Sequence, residues 1–325
     1  MIPLCQRLQT APTPMAGLAL GISSLGWSWE SFASFGGFAQ LAGATVASFL
    51  LLLLGAKFIL HPRLLWADLA HPVVGSVVPT FAMALMVLSK AAGEWLMPAA
   101  GVTLWLVAVA LHLSFLVAFV AHRAKAFELH HMVPAWFVPP VGIIVADVAV
   151  PGVAALHPLA VGLLYLGMGL YAILLPVMIY RLIFAGEIPD PAKPTIAIMA
   201  APASLSLAGY LTVMAEPSPL MIALLGGIAV LMTLIIYLAF FKLLRLPYSP
   251  GYAAFTFPMV IGATALSKTA AWMQKEGFSA HDVAIVHGLA TLEVIVASVI
   301  VGYVALRYLD FHLYAGRERA TPGTV

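Results

Sequence analysis

SFASFGGFAQLAGATVASFLLLLLGA, residues 31–56, runs from Ser31 to Ala56 without one charged side chain. A bilayer core about 30 Å thick is crossed by roughly 20 helical residues, and this stretch supplies them with some to spare. It lacks the every-second-residue alternation of a membrane β-strand, so a β-barrel is disfavoured. Working outward, further windows without Asp, Glu, Lys or Arg lie at 8–29, 69–89, 95–122, 129–146, 148–180, 194–215, 217–241 and 246–267. A last apolar segment, 281–308, holds Asp282 and Arg307 near its ends and Glu293 in its interior.

The composition agrees. The chain has 325 residues, of which 63% are hydrophobic and 9% charged, with a mean hydropathy of +1.04. Soluble domains are about 45–50% apolar and about 25% charged, so this chain is too apolar for water. A net charge of +2 gives no footing for a nucleic-acid partner. The one cysteine, Cys5, excludes an internal disulfide and a multi-cysteine metal site. The first ten residues lack the charged, apolar, small-residue order of a cleaved export signal, so none is expected.

The windows predict an all-α polytopic membrane protein whose residues 1–325 form a single transmembrane domain. Its ten helices are expected at about 11–29, 34–60, 72–92, 97–124, 135–152, 158–184, 194–214, 218–244, 249–273 and 281–308. Twelve of the fifteen Lys and Arg side chains, including Arg7, Lys57, Arg123, Arg181, Lys242 and Arg319, fall on one face, namely the N-terminus and the connections after even-numbered helices. Lys90, Lys268 and Lys275 fall on the other. Cytoplasmic loops collect cations, so both termini are expected in the cytoplasm.

Proline reveals a repeat. The odd-numbered helices carry Pro14, Pro79, Pro140, Pro202 and Pro258, about 60 residues apart, whereas the even-numbered ones are nearly free of interior proline. Such a period fits a repeated helical hairpin. A membrane proline leaves a carbonyl that neighbours or a wet cavity must satisfy. Two readings follow: five bent inner helices around a central pore with pseudo-five-fold symmetry, or ordinary kinks in a packed bundle. On the pore reading, the small residues near the prolines, Thr13, Gly17, Ala201, Ser204 and Gly262, line the path. The residues just before the prolines are Thr13, Val78, Pro139, Ala201 and Phe257, and only Phe257 is large. A lone ring in a layer of small side chains plugs a narrow apolar path; the plainer alternative is a Phe packed between helices.

Charge inside the bilayer costs about 3 kcal/mol or more, so four residues need an account. Lys90, Asp147 and Lys268 lie 7–11 residues beyond their repeat prolines, at the extracytoplasmic level. They either make a mildly positive pore mouth or, for the lysines, snorkel to the interface. Glu293 lies near the middle of the last helix. Opposite lean along antiparallel helices predicts a buried Lys268–Glu293 pair; the alternative role for Glu293 is a proton-coupling carboxylate. The histidines form no expected metal set, and no phosphate loop or nucleophile elbow is present, so neither enzyme chemistry nor a cofactor is expected.

The segments PTPMAGLALGISSLGW (12–27), HPVVGSVVPTFAMAL (71–85), APASLSLAGYL (201–211) and YAAFTFPMVIG (252–262) resemble the tellurite-resistance/dicarboxylate transporter family. That family includes the bacterial TehA proteins and the slow-type anion channels of plant guard cells. The resemblance implies ten helices in five hairpins, a homotrimer with one pore per protomer, and occlusion of the pore by the aromatic matching Phe257. It assigns no role to Lys90, Lys268 or Glu293. Together these readings give an anion channel or facilitative anion transporter of the bacterial inner membrane, carrying small inorganic or organic anions. The alternative is a proton-coupled dicarboxylate or tellurite carrier; a membrane enzyme or scaffold subunit ranks below both.

Overall fold

A computed structural model describes residues 8–318, with side chains to Phe311. Cys5, Arg7 and Arg319 lie outside the described residues, as does the side chain of Arg317. Among the described residues the chain is helical and contains no strand. Its principal segments are α1 (Met15–Glu30), α2 (Phe38–Leu60), α3 (Val74–Trp95), α4 (Pro98–Lys125), α5 (Pro134–Val148), α6 (Ala154–Phe184), α7 (Asp190–Val213) and α8 (Pro219–Leu243). They are completed by α9 (Thr256–Lys275) and α10 (Ala280–Glu318). Seven of these, α2, α3, α4, α6, α7, α8 and α10, are long and apolar enough to cross a bilayer. The shorter α1 and α5, and α9 with its two lysines, are not among the seven.

The even-numbered helices are regular, and their sequences explain why. α4 and α8 start on Pro98 and Pro219, and α6 carries Pro158 in its first turn, where the missing N–H is no loss. α10 starts behind Ser279, whose hydroxyl accepts the Asp282 N–H at 3.1 Å and donates to the Asp282 carboxylate at 2.6 Å. Lys57, Arg123, Arg181 and Lys242 sit in the last turns of α2, α4, α6 and α8, where the helix dipole favours cations.

The odd-numbered segments are broken at their prolines. α3 is interrupted at Val78–Pro79 and resumes at Thr80. α7 runs as a 3-10 helix from Asp190 to Ala200 and becomes α-helical at Ala201, one residue before Pro202. A 3-10 turn, Pro250–Phe255, leads into α9 just before Pro258. α1 begins directly after Pro14. α5, expected as one helix over 135–152, is instead a chain of short 3-10 and α turns that ends at Val148. Its adjacent Pro139 and Pro140 remove two consecutive donors, and the α-helical turn that holds them, Val138–Val141, is not continued on either side. At α1, α7 and α9 the proline thus stands where α-helix starts, and at α3 it interrupts one, rather than bending a continuous helix.

Burial separates two sets. In α3 and α7, 72% and 83% of the most apolar window is buried, against 28–33% in α2, α4, α6, α8 and α10. The second set presents large apolar side chains outward, such as Leu52, Val117, Ile173 and Leu238, a surface of the kind that marks a membrane or protein interface. Adjacent helices approach closely through glycine. A Cβ on Gly43 of α2 would lie 2.8 Å from the Ile22 carbonyl oxygen of α1, and one on Gly101 of α4 would lie 2.7 Å from the Gly93 Cα of α3.

Candidate functional site: two cavities separated at Phe257

Five segments surround one main cavity of about 530 Å³. Its walls include Pro14 and Gly17 at α1, Val77 and Thr80 at α3, Val141 and Gly142 at α5, Ala201 and Pro202 at α7, and Phe257 and Pro258 at α9. Among the described residues no Asp, Glu, Lys or Arg side chain borders it, and His71 is the one titratable wall residue. One end is framed by Pro12, His71, Pro189, Pro191 and the turn Ser249–Gly251, on the side that holds the cation-rich connections.

A second, small cavity of about 20 Å³ continues along the same five segments. It is bordered by Ser24 and Trp27 of α1, Val87 of α3, Val145 and Val148 of α5, and Val260, Ile261 and Thr264 of α9. Two residues border both cavities: Leu205 of α7 and Phe257 of α9. Phe257 is 8% exposed. It sits in the first turn of α9, where the change from 3-10 to α winding directs its ring inward. Thr256 helps fix that turn: its hydroxyl donates to the carbonyls of Ala253 (2.7 Å) and Gly17 (3.1 Å), tying α9 to α1.

The other expected site residues divide. Pro14, Gly17, Ala201, Pro202 and Pro258 line the main cavity, whereas Pro79 and Pro140 lie behind it and their neighbours Thr80 and Val141 take the wall positions. Thr13, Ser204 and Gly262 do not line it. Thr13 donates to Asp68 at 2.5 Å and accepts from Lys57 at 3.1 Å. The fully buried Ser204 hydroxyl is held by the Ala200 carbonyl at 3.0 Å. Gly262 faces α10, where a Cβ would overlap Oε2 of Glu293.

That contact also explains why the expected Lys268–Glu293 pair does not form: no such ion pair occurs within 4.0 Å among the described residues. Glu293 meets α9 at position 262. Six residues later, Lys268 is about 9 Å further along and about 240° around the helix, on another face. Opposite lean gives the right level but not the direction around the axis. Oε2 of Glu293 is buried without a hydrogen-bond partner. Asp147 is fully buried, and neither of its carboxylate oxygens has a donor from another residue. It packs toward Gly209 of α7 and borders neither cavity, so it is not a mouth residue. Lys90 donates to the Val150 carbonyl at 3.2 Å and lies 5.7 Å from the centroid of the Trp27 ring.

The sequence reading missed Leu205, Ser24 and Trp27 as wall residues. Leu205 stands three residues after its repeat proline and Phe257 one residue before, so alignment on the prolines separates two side chains that the fold brings to one level. It also passed over Glu128, His130 and His131 in the α4–α5 connection, whose ligand atoms lie within 4.8 Å of one another. The Glu-x-His-His spacing carried that signal.

Two uncharacterized transporters of Methanocaldococcus jannaschii are similar to this chain. One is 30% identical over 234 residues, covering 62% of the chain and 66% of the relative. The other is 31% identical over 224 residues, covering 59% and 62%. The matched region thus spans just under two thirds of each relative. Residues 14–309 match the voltage-dependent anion channel family across every segment that borders the two cavities, and the chain belongs to that family.

Proposed function

We propose that this protein is an anion channel or facilitative anion transporter in which Phe257, with Leu205 opposite, closes a path between the two cavities. The carrying observation is that Phe257 borders both. A path without ionised walls binds an anion weakly enough to release it, as conduction requires. An aromatic ring that narrows such a path acts by filling it and by dewetting. In this reading all ten helical segments cross the bilayer as five hairpins with pseudo-five-fold symmetry, α1, α3, α5, α7 and α9 inside. Both termini are cytoplasmic, and the protein is a homotrimer of the bacterial inner membrane, as the family resemblance implies.

A second reading rests on Glu293. Its unpartnered carboxylate oxygen abuts α9 at Gly262, five residues from Phe257, a position from which a proton-coupled carrier for dicarboxylates or tellurite could act. One experiment separates the two. Phe257→Ala in planar bilayers is expected to raise chloride or nitrate conductance at least about tenfold, the effect of removing a hydrophobic barrier of about 1.4 kcal/mol or more. An unchanged current in a folded variant removes the gate. Saturable flux that needs an imposed pH gradient and is lost in Glu293→Gln selects the carrier.

A further inference from the structure

The small cavity beyond Phe257 is polar in an unusual way. Ser24 borders it, is 7% exposed, and its hydroxyl has no hydrogen-bond partner. A buried hydroxyl left unpaired is destabilising, and a ligand at this position would satisfy it. Thr264, across the same cavity, already donates to the Val260 carbonyl at 3.1 Å, with Ser28 at 3.4 Å.

Two lysines stand one helical turn further out. Lys90 follows the wall residue Val87 by three positions, and Lys268 follows Thr264 by four, spacings that keep each lysine on the cavity face of its helix. α3 and α9 both run outward from the main cavity, and side chains lean toward their own helix N-terminus, which tilts both lysines back toward the small cavity although neither borders it. α1 packs against both helices and places Trp27 between them, with the Lys90 ammonium 5.7 Å from its ring centroid. Both lysines are half-buried. Lys268 is within electrostatic reach of Lys90. No carboxylate lies within 4.0 Å of either ammonium among the described residues. The acid that acts on Lys90 is Glu94, one turn further out and exposed.

Two half-buried like charges with no carboxylate within 4.0 Å among the described residues, one turn beyond an unpaired hydroxyl, form a site that an anion completes, the Val150 carbonyl being the partner that Lys90 already has. We infer that Lys90, Lys268, Ser24 and Thr264 make an outer binding site for one small inorganic anion of chloride or nitrate size, on the far side of Phe257 from the main cavity. The site deepens the anion-path reading and rests on it for its purpose, though its occupancy can be measured separately. Its size sets the ligand class: about 20 Å³ admits one small ion, whereas the main cavity of about 530 Å³ also has room for a four-carbon dicarboxylate.

The test is thermal unfolding of the purified full-length protein in detergent, with sodium chloride replacing sodium gluconate at constant ionic strength. Chloride is expected to raise Tm by about 3 °C in the wild type, as binding at roughly ten times Kd would. Lys90→Gln/Lys268→Gln is expected to abolish the shift and to raise Tm in gluconate, because repulsion between the lysines is gone. Ser24→Ala is expected to reduce the shift. Lys275→Gln, an exposed cation at the end of α9, is expected to keep it. A shift retained in the double variant, or lost equally in Lys275→Gln, overturns the site. A missing shift in a wild type whose Phe257→Ala variant conducts anions overturns the site and leaves the channel reading intact. A shift in a protein that never conducts upholds the site and overturns the channel reading.

Discussion

Gly262 shows how one missing side chain makes room for another. Glu293 projects from α10 into the space a Cβ would occupy, so any larger residue at 262 has to displace the buried Glu293 carboxylate. Gly262→Ala is therefore expected to destabilise the protein by about 1–3 kcal/mol through overpacking. Shortening the opposing side chain in Gly262→Ala/Glu293→Ala should restore most of that, read as Tm in detergent. A single variant as stable as wild type, or a double variant no better than the single, would remove the contact as the cause. At this scale the sequence was informative where chemistry is one-dimensional. Phe257 stood out as the lone large side chain in its layer. Gly262 was read as a wall residue because its place around the helix axis depends on packing, which residue spacing does not supply. The Lys268–Glu293 pairing failed for the same reason.

At the level of elements, three buried cations tie the ends of outer helices to the connections beside them. Lys57 of α2 donates to the Ala11 carbonyl at 2.9 Å and faces Asp68 at 3.6 Å. Arg123 of α4 donates to the Ala70 carbonyl. Arg181 of α6, 1% exposed, holds three carbonyls, Ala185 at 2.5 Å, Gly186 at 2.8 Å and His130 at 3.1 Å, and so links the connections before α5 and before α7. The sequence put these cations at the ends of helices, where the structure has them, but gave no sign that they are buried and bonded. Replacing Arg181 by Gln leaves at least two of those carbonyls without their charged donor, at about 1.5–3 kcal/mol for each such bond. The variant is expected to melt several degrees lower, with Arg181→Lys intermediate because an ammonium reaches fewer carbonyls than a guanidinium fork. Equal melting of all three proteins would show that the links are incidental. The broken winding of α5 was also hidden. Its apolar run reads as helix until the donors lost at Pro139 and Pro140 are counted together.

For the molecule as a whole, hydropathy and architecture lead to different counts. The seven long apolar helices alone place the two chain ends on opposite sides of the membrane. If α1, α5 and α9 cross as well, the ends return to one side, in keeping with the cations gathered there. The three remaining segments are the ones a hydropathy count penalises: all border the cavities, α1 and α5 are short, and α9 carries Lys268 and Lys275. The distinction is sharpest across α9. With ten crossings, Arg245 before α9 and Glu276 after it lie on opposite faces; with seven, both belong to one connection on one face. Both are exposed. Starting from Cys5→Ser, which leaves no cysteine, Arg245→Cys and Glu276→Cys are to be labelled in intact cells with a membrane-impermeant maleimide. Glu276→Cys is expected to react, and Arg245→Cys only after the membrane is opened. Glu187→Cys and Glu216→Cys flank α7, which crosses on either count, and calibrate the assay. Equal reactivity of positions 245 and 276 would place α9 on one side of the bilayer. Phe257 would then stand outside any transmembrane path, and both the ring of five inner helices and the gate would fall together.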